Sequence, residues 1–170
     1  MKRPETNEFA PYYNTYVSLI EGDGVMAELE TQTEILRAAV AGLTEDRGSY
    51  AYAEGKWTIK ELLSHLIDGE RIFAYRVMRI SRGDTTPIEG FEQDDYIATS
   101  RANDRTFANL IDEFAFERQA NLIMVGNIDD ETSKRMGTAS DKPVSVRALT
   151  YIMAGHVKHH LKILADRYLD

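Results

Sequence analysis

The chain has 170 residues, no cysteine and a formal charge of -8 from 28 acidic and 20 basic residues. The missing cysteines exclude disulfides, thiolate metal sites and a cysteine nucleophile, and an acidic balance without a basic cluster argues against nucleic-acid binding, which depends on neutralising phosphates. No apolar run is long enough for a membrane span, and Met1-Lys-Arg-Pro-Glu-Thr-Asn-Glu8 lacks the apolar stretch of a secretory signal, so the expectation is one soluble cytoplasmic domain over residues 1–170.

Pro4, Pro11, Pro87 and Pro143 lie outside the long helical segments, and no clear strand alternation competes with a helical reading. Residues 11–21 suit a short tyrosine-rich helix, broken by Glu21-Gly-Asp-Gly24. From Val25 to Leu43 the residues Met26, Leu29, Ile35, Leu36, Val40 and Leu43 fall broadly on one helical face, with Gly42 and Gly48 marking the end. Thr58-Ile-Lys-Glu61 has the form of a capping box, Thr58 as N-cap and Glu61 at the third position, and the helix it opens runs to about Ser81, with Gly83 as its stop. Residues 84–100 form a long connection with an acidic stretch from Glu92 to Asp95, long enough to have a purpose or to hold a short helix. Residues 103–125 read as a third long helix, offering Phe107, Leu110, Ile111, Phe114, Leu122 and Val125 to a core. Asp129 to Lys142 looks polar and irregular, and Ser145 suits the N-cap of the last helix. Four long helices, with a long crossover between the second and third and short extra helices, describe an all-α four-helix bundle.

Three of the four histidines lie on the last helix. Wound at about 100° per residue from Leu149, His156 falls near 340° and His160 near 20°, inside the apolar arc that holds Met153 and Leu164, while His159 falls near 280°, at its edge. Imidazoles at i and i+4 sit about 6 Å apart along the axis, within reach of one ion. A lone core histidine is more often simply hydrogen-bonded, but two buried on adjacent turns without partners are costly, and neutral imidazole is a good ligand for zinc, nickel or iron. Val157 occupies the place of the glutamate in H-E-x-x-H, so peptidase chemistry of that type is not indicated.

His65 is the only other histidine and sits on the shoulder of its helix's core face, beside Gly69, Ile72 and Arg76. Gly69 either leaves open volume next to His65 or only permits close helix packing. Three histidine ligands leave one position for water or substrate, as in catalytic rather than structural zinc sites. Glu61 and Asp68 are placed to orient an imidazole or to face solvent. Arg76 is placed to bind an anionic group or to pair with a carboxylate. Tyr75, Tyr151 and Trp57 read most simply as packing residues, and His159 as a spare.

The pattern resembles the DinB/YfiT-like superfamily of metal-binding four-helix bundles. The resemblance rests on Lys56-Trp57 through His65 to Arg76, on Arg82-Gly-Asp84, on Gly90-Phe-Glu-Gln-Asp-Asp-Tyr96 and on Val144 through His156-Val-Lys-His-His160, in the same order over essentially the whole chain. It implies a divalent metal, usually zinc or nickel, held by His65, His156 and His160, and often a homodimer. Members are described as thiol-dependent S-transferases, as a thiol-dependent isomerase and as metal-dependent hydrolases. Two classes of function stay open. One is a metal-dependent enzyme, either a hydrolase or a transferase whose sulfur comes from a low-molecular-weight thiol. The other is a stress-related metal- or ligand-binding bundle without turnover, in which the ion mainly holds helices together.

Overall fold

Chain order in the computed structural model, which describes residues 1–169, is α1 (Asn14–Val17), α2 (Val25–Val40), α3 (Ile59–Ser81), α4 (Gln93–Thr99), α5 (Phe107–Gly126), α6 (Asp130–Ser133), β1 (Met136–Ala139), β2 (Lys142–Ser145) and α7 (Val146–Tyr168). The starts of the two longest helices follow from local sequence. Thr58 accepts from the Glu61 amide while the Glu61 carboxylate accepts from the Thr58 amide at 2.8 Å, and the Ser145 hydroxyl accepts from the Ala148 amide at 3.0 Å. After α2 the chain turns at Gly42, whose φ of 84° favours glycine. Among the described residues no helix is long and apolar enough to cross a membrane.

The four long helices form a bundle in which α3 packs on α5 and α7, and α2 packs on the same two. Leu29, Phe73, Val77, Val125 and Ile152 belong to one half of the core, and Leu36, Leu62, Leu66, Phe114, Val157 and Leu164 to the other. A polar layer lies between them. Arg118 on α5 donates to both carboxylate oxygens of Glu70 on α3, and through Nη1 to the Leu29 carbonyl and Gln32 Oε1 on α2. Gln32 Nε2 in turn donates to the Ala154 carbonyl on α7 at 2.7 Å, and Asn121 Nδ2 completes the Glu70 shell. Each of the four long helices contributes to this layer, which fixes their relative heights.

The sequence between α5 and α7 is more regular than its composition suggests. β1 and β2 pair antiparallel through a tight turn at Ser140 and Asp141, both in left-handed conformation with φ of 50° and 60°. Two four-residue strands, one with a glycine and one with a proline, are too short for alternation to register. The hairpin packs on the end of α3: a Cβ on Gly137 would lie 2.5 Å from Ile80 Cγ1. It also anchors the long connection after α3, because the Ile88 amide donates to the Thr138 carbonyl and the Ser140 amide to the Ile88 carbonyl, each at 2.9 Å. Ile35 is half-exposed rather than buried, so the core face of α2 is narrower than its apolar residues imply. At the N-terminus, buried Glu8 accepts from Ser145 and Arg147, and these bonds outweigh the upward push of burial to hold its carboxyl below the usual value.

Candidate metal centre and substrate cleft

His65 from α3 and His156 and His160 from α7 meet inside the bundle. All three are buried, and their nearest ring nitrogens lie within 4.8 Å of one another. His65 Nε2 and His156 Nε2 are 2.8 Å apart, one donating and the other accepting, and the Nδ1 of His160 is buried without a hydrogen-bond partner among the described residues. Burial disfavours the charged form of each ring. It holds His65 down to about 4, against a small upward pull from Asp94; it holds His160 at about 3; and it puts His156 well below its ordinary value, with the other two histidines adding to the effect. Three neutral imidazoles converging from two helices offer a donor set that can hold a divalent transition-metal ion.

The surroundings fix the rings. Trp57, just ahead of the α3 cap, lies against His65 with ring centroids 4.7 Å apart, so it supports the cluster as well as packing. Phe73 and Tyr16 meet His156 edge-on at 5.5 Å. Gly69 makes room for His156 rather than for His65: an added Cβ would fall 2.9 Å from His156 Cε1 and 3.1 Å from Nδ1. Gly155, on the other side of the same turn, lets α7 run against the backbone of Tyr16, where a Cβ would lie 2.2 Å from the carbonyl oxygen. His159 stays at the margin as its helical angle predicts, half-buried with its ring edge-on to Tyr16 and His160.

The histidines open onto a cleft of about 680 Å³, a typical size for a small-molecule site. His65, Gly69, Phe73 and Arg76 give it a wall along α3, Tyr12, Tyr13 and Tyr16 a second wall, and residues 90–96 with Ser140 the rim. A smaller cavity of about 290 Å³ reaches His160 from the other side, and Gln93 and Asp94 border both spaces. The exposed carboxylate of Asp94 thus stands over the cluster at the start of α4.

The other charged residues considered beside the histidines divide. Glu61 is committed to the α3 cap and to Asn103 Nδ2, and Asp68 faces a different depression with Arg71, Arg105 and Glu113, where burial raises its carboxyl above the usual range. Arg76 does line the cleft. It is only 2% exposed, yet no carboxylate pairs with it among the described residues: its Nη2 donates to the Glu89 carbonyl at 3.1 Å and Ser140 Oγ at 2.9 Å, and its Nε has no partner. Sequence reasoning missed Asp94, Tyr16 and Ser140. The acidic run and the tyrosine cluster were visible signals for the first two, whereas nothing in sequence linked Ser140 to a helix 64 residues away.

Comparison with known proteins agrees with the fold. YfiT from Bacillus subtilis, described as a candidate metal-dependent hydrolase with an unusual four-helix bundle topology, superposes with a TM-score of 0.78 at 16% identity, over 85% of this chain and 83% of that one. A protein of Geobacillus thermodenitrificans (strain NG80-2), named as a candidate metal-dependent hydrolase, is 25% identical over 137 residues, 79% of this chain and 77% of the relative. The profile of the DinB superfamily matches residues 28–164, which takes in most of each of the four long helices and all three clustered histidines, and the chain belongs to that superfamily.

Proposed function

We propose that the protein is a divalent-metal-dependent enzyme of the hydrolase type, with His65, His156 and His160 as ligands and the adjoining cleft as the substrate site. The observation that carries this reading is the convergence of three buried, uncharged imidazoles beside the cleft, where His65 and His156 bond only each other and His160 Nδ1 has no partner among the described residues. Desolvating three rings in that way is costly, and a shared cation offsets the cost. The donor set suits zinc or nickel. When bound, such an ion supplies Lewis acidity that polarises a carbonyl or acidifies a nucleophile. The names of the relatives support hydrolysis as the reaction class.

The chain's own residues supply the rest. Trp57, Phe73 and the space at Gly69 set the imidazole orientations. Tyr16 covers His156 from the N-terminal side and keeps water from that face. Asp94 is the carboxylate facing His65 across the mouth, and it takes the proton from a nucleophile entering the cleft. The same reading takes the protein as a homodimer, which sedimentation checks directly.

Elemental analysis tests the ligand assignment. The purified protein is expected to carry near-stoichiometric divalent metal, His160→Ala to lose it and His159→Ala to keep it; full metal content in His160→Ala would remove the assignment. Turnover of an amide and ester panel is expected to stop on chelation and return with zinc or nickel, and hydrolysis indifferent to chelators would end the metal-dependent reading. Asp94→Asn is expected to retain the metal while kcat falls by roughly 10²–10⁴-fold, the usual range for a lost general base.

A further inference from the structure

The cleft has two ends with opposite chemistry. His65 and Arg76 lie on the same face of α3, eleven residues or just over three turns apart, about 16 Å along an ideal helix. The His156 ring sits over Gly69, between them. At the far end Arg76 is a buried guanidinium without a counter-ion among the described residues. Glu89 gives it only a backbone carbonyl and Ser140 only a hydroxyl, both to Nη2, and Nε is unpartnered. A buried arginine is expected to be paired, because an isolated charge in such a place costs far more than two neutral acceptors return. The Nε–Nη2 edge of guanidinium matches a carboxylate in a two-point bond, and because Nη2 already spends both protons on Glu89 and Ser140, such a carboxylate takes the place of the Ser140 hydroxyl at that edge.

We propose that Arg76 anchors a carboxylate at one end of the substrate, holding its other end toward His65 and His156. This rests on the hydrolase reading above and narrows its substrate class to small acids whose cleavable amide or ester lies several bonds from the carboxylate. A monoanion suits the site better than a phosphate dianion, because Glu92, Asp94 and Asp95 ring the mouth and the chain is acidic overall. Ser140 is carried to Arg76 by the left-handed turn of the hairpin, so β1 and β2 serve to build this end of the cleft.

The probes are 4-acetamidobutyrate, its neutral primary amide, and 4-acetamidobutyl phosphate, titrated into the purified metal-loaded protein. Binding is read by calorimetry and by the side-chain Nε–H resonance of Arg76 in 15N-labelled protein. The carboxylate is expected to bind at least tenfold tighter than the amide and to move the Nε–H resonance saturably, with Arg76→Gln abolishing the preference and Arg76→Lys restoring part of it. A purely structural Arg76 would lower thermal stability on substitution and leave the preference between acid and amide unchanged. Equal affinity for acid and amide, no binding of either, a preference that survives Arg76→Gln or a stationary Nε–H resonance overturns the proposal, and tighter binding of the phosphate overturns the choice of carboxylate. The resonance is measured on the unmutated protein, so the result does not depend on the variants folding. Failure of the metal reading shows elsewhere, as full metal content in His160→Ala.

Discussion

Arg118 and Arg76 are the two largest fully buried side chains of the bundle, 1% and 2% exposed, and their surroundings differ completely. Arg118 sits in the layer between the two halves of the core. It meets a carboxylate with two bonds, a carbonyl and a side-chain amide, and its partners come from α2 and α3. Arg76 stands on a cleft wall with two neutral acceptors on one nitrogen and an unpartnered Nε. A network in which every member is satisfied holds helices in register, and a charge left incomplete beside an open space is available to a ligand. The histidine cluster is incomplete in the same sense, with His160 Nδ1 unpartnered and the rings held neutral. Satisfied and unsatisfied polar groups thus separate the layer that ties the helices together from the histidine cluster and the cleft wall.

The largest expected effect tests that separation directly. Glu70→Ala leaves Arg118 as a buried charge without its carboxylate and takes a partner from Asn121, and it should cost about 3–5 kcal/mol in denaturant unfolding. Arg76→Gln loses two hydrogen bonds but also removes an uncompensated charge, and it should cost less than about 1.5 kcal/mol. Equal losses for the two variants would show that Arg76 is as structural as Arg118 and would break the comparison.

A smaller effect is expected at Gly69. Its Cβ would press on the imidazole of His156, which Phe73, Tyr16 and His65 already confine, so Gly69→Ala should displace the ring at a cost of about 1–3 kcal/mol and lower metal content. Full metal content with unchanged stability would show that the ring can yield, and that the tight fit is not what places it.

The histidines, their helical faces and the Thr58–Glu61 cap were legible because each is written in local spacing, which the period of a helix converts into a direction. A short helix was one of the two readings left open for the long connection, and α4 supplies it. The role of Gly69 was half legible: the sequence left open volume beside His65 and close helix packing as alternatives, and only the packing of α7 on α3 shows that the His156 ring fills the place. The Glu70–Arg118 pair joins positions 48 apart on helices whose neighbours no local pattern fixes. The hairpin escaped because its strands are short and its hydrogen bonds run partly to Ile88 in another segment. In each of these cases the missing information was which element lies beside which.

The last prediction concerns acid, where the two regions part at different pH. The folded, metal-free protein keeps His65 and His160 neutral down to about 4 and about 3, with His156 also well below its ordinary value, whereas an unfolded chain protonates all three near 6.5. Above that pH neither state binds these protons and the histidines contribute no slope. As pH falls below it the unfolded state binds more protons, so stability drops by up to about 1.4 kcal/mol per pH unit for each ring, and the slope from a ring ends once pH passes its folded value. Glu8 and Glu113, held low by arginine and serine partners, are lost only in a lower window, as pH falls from their ordinary 4.5 through their depressed folded values. His159, also held below its ordinary value by burial, adds to the same slope. Urea unfolding of chelated protein between pH 7 and 5 should therefore report mainly the four histidines, and His160→Gln should remove roughly a quarter to a third of their slope in that range. An unchanged slope in His160→Gln would mean that the ring is not held neutral by burial, and the uncharged cluster at the cleft wall would lose its physical basis.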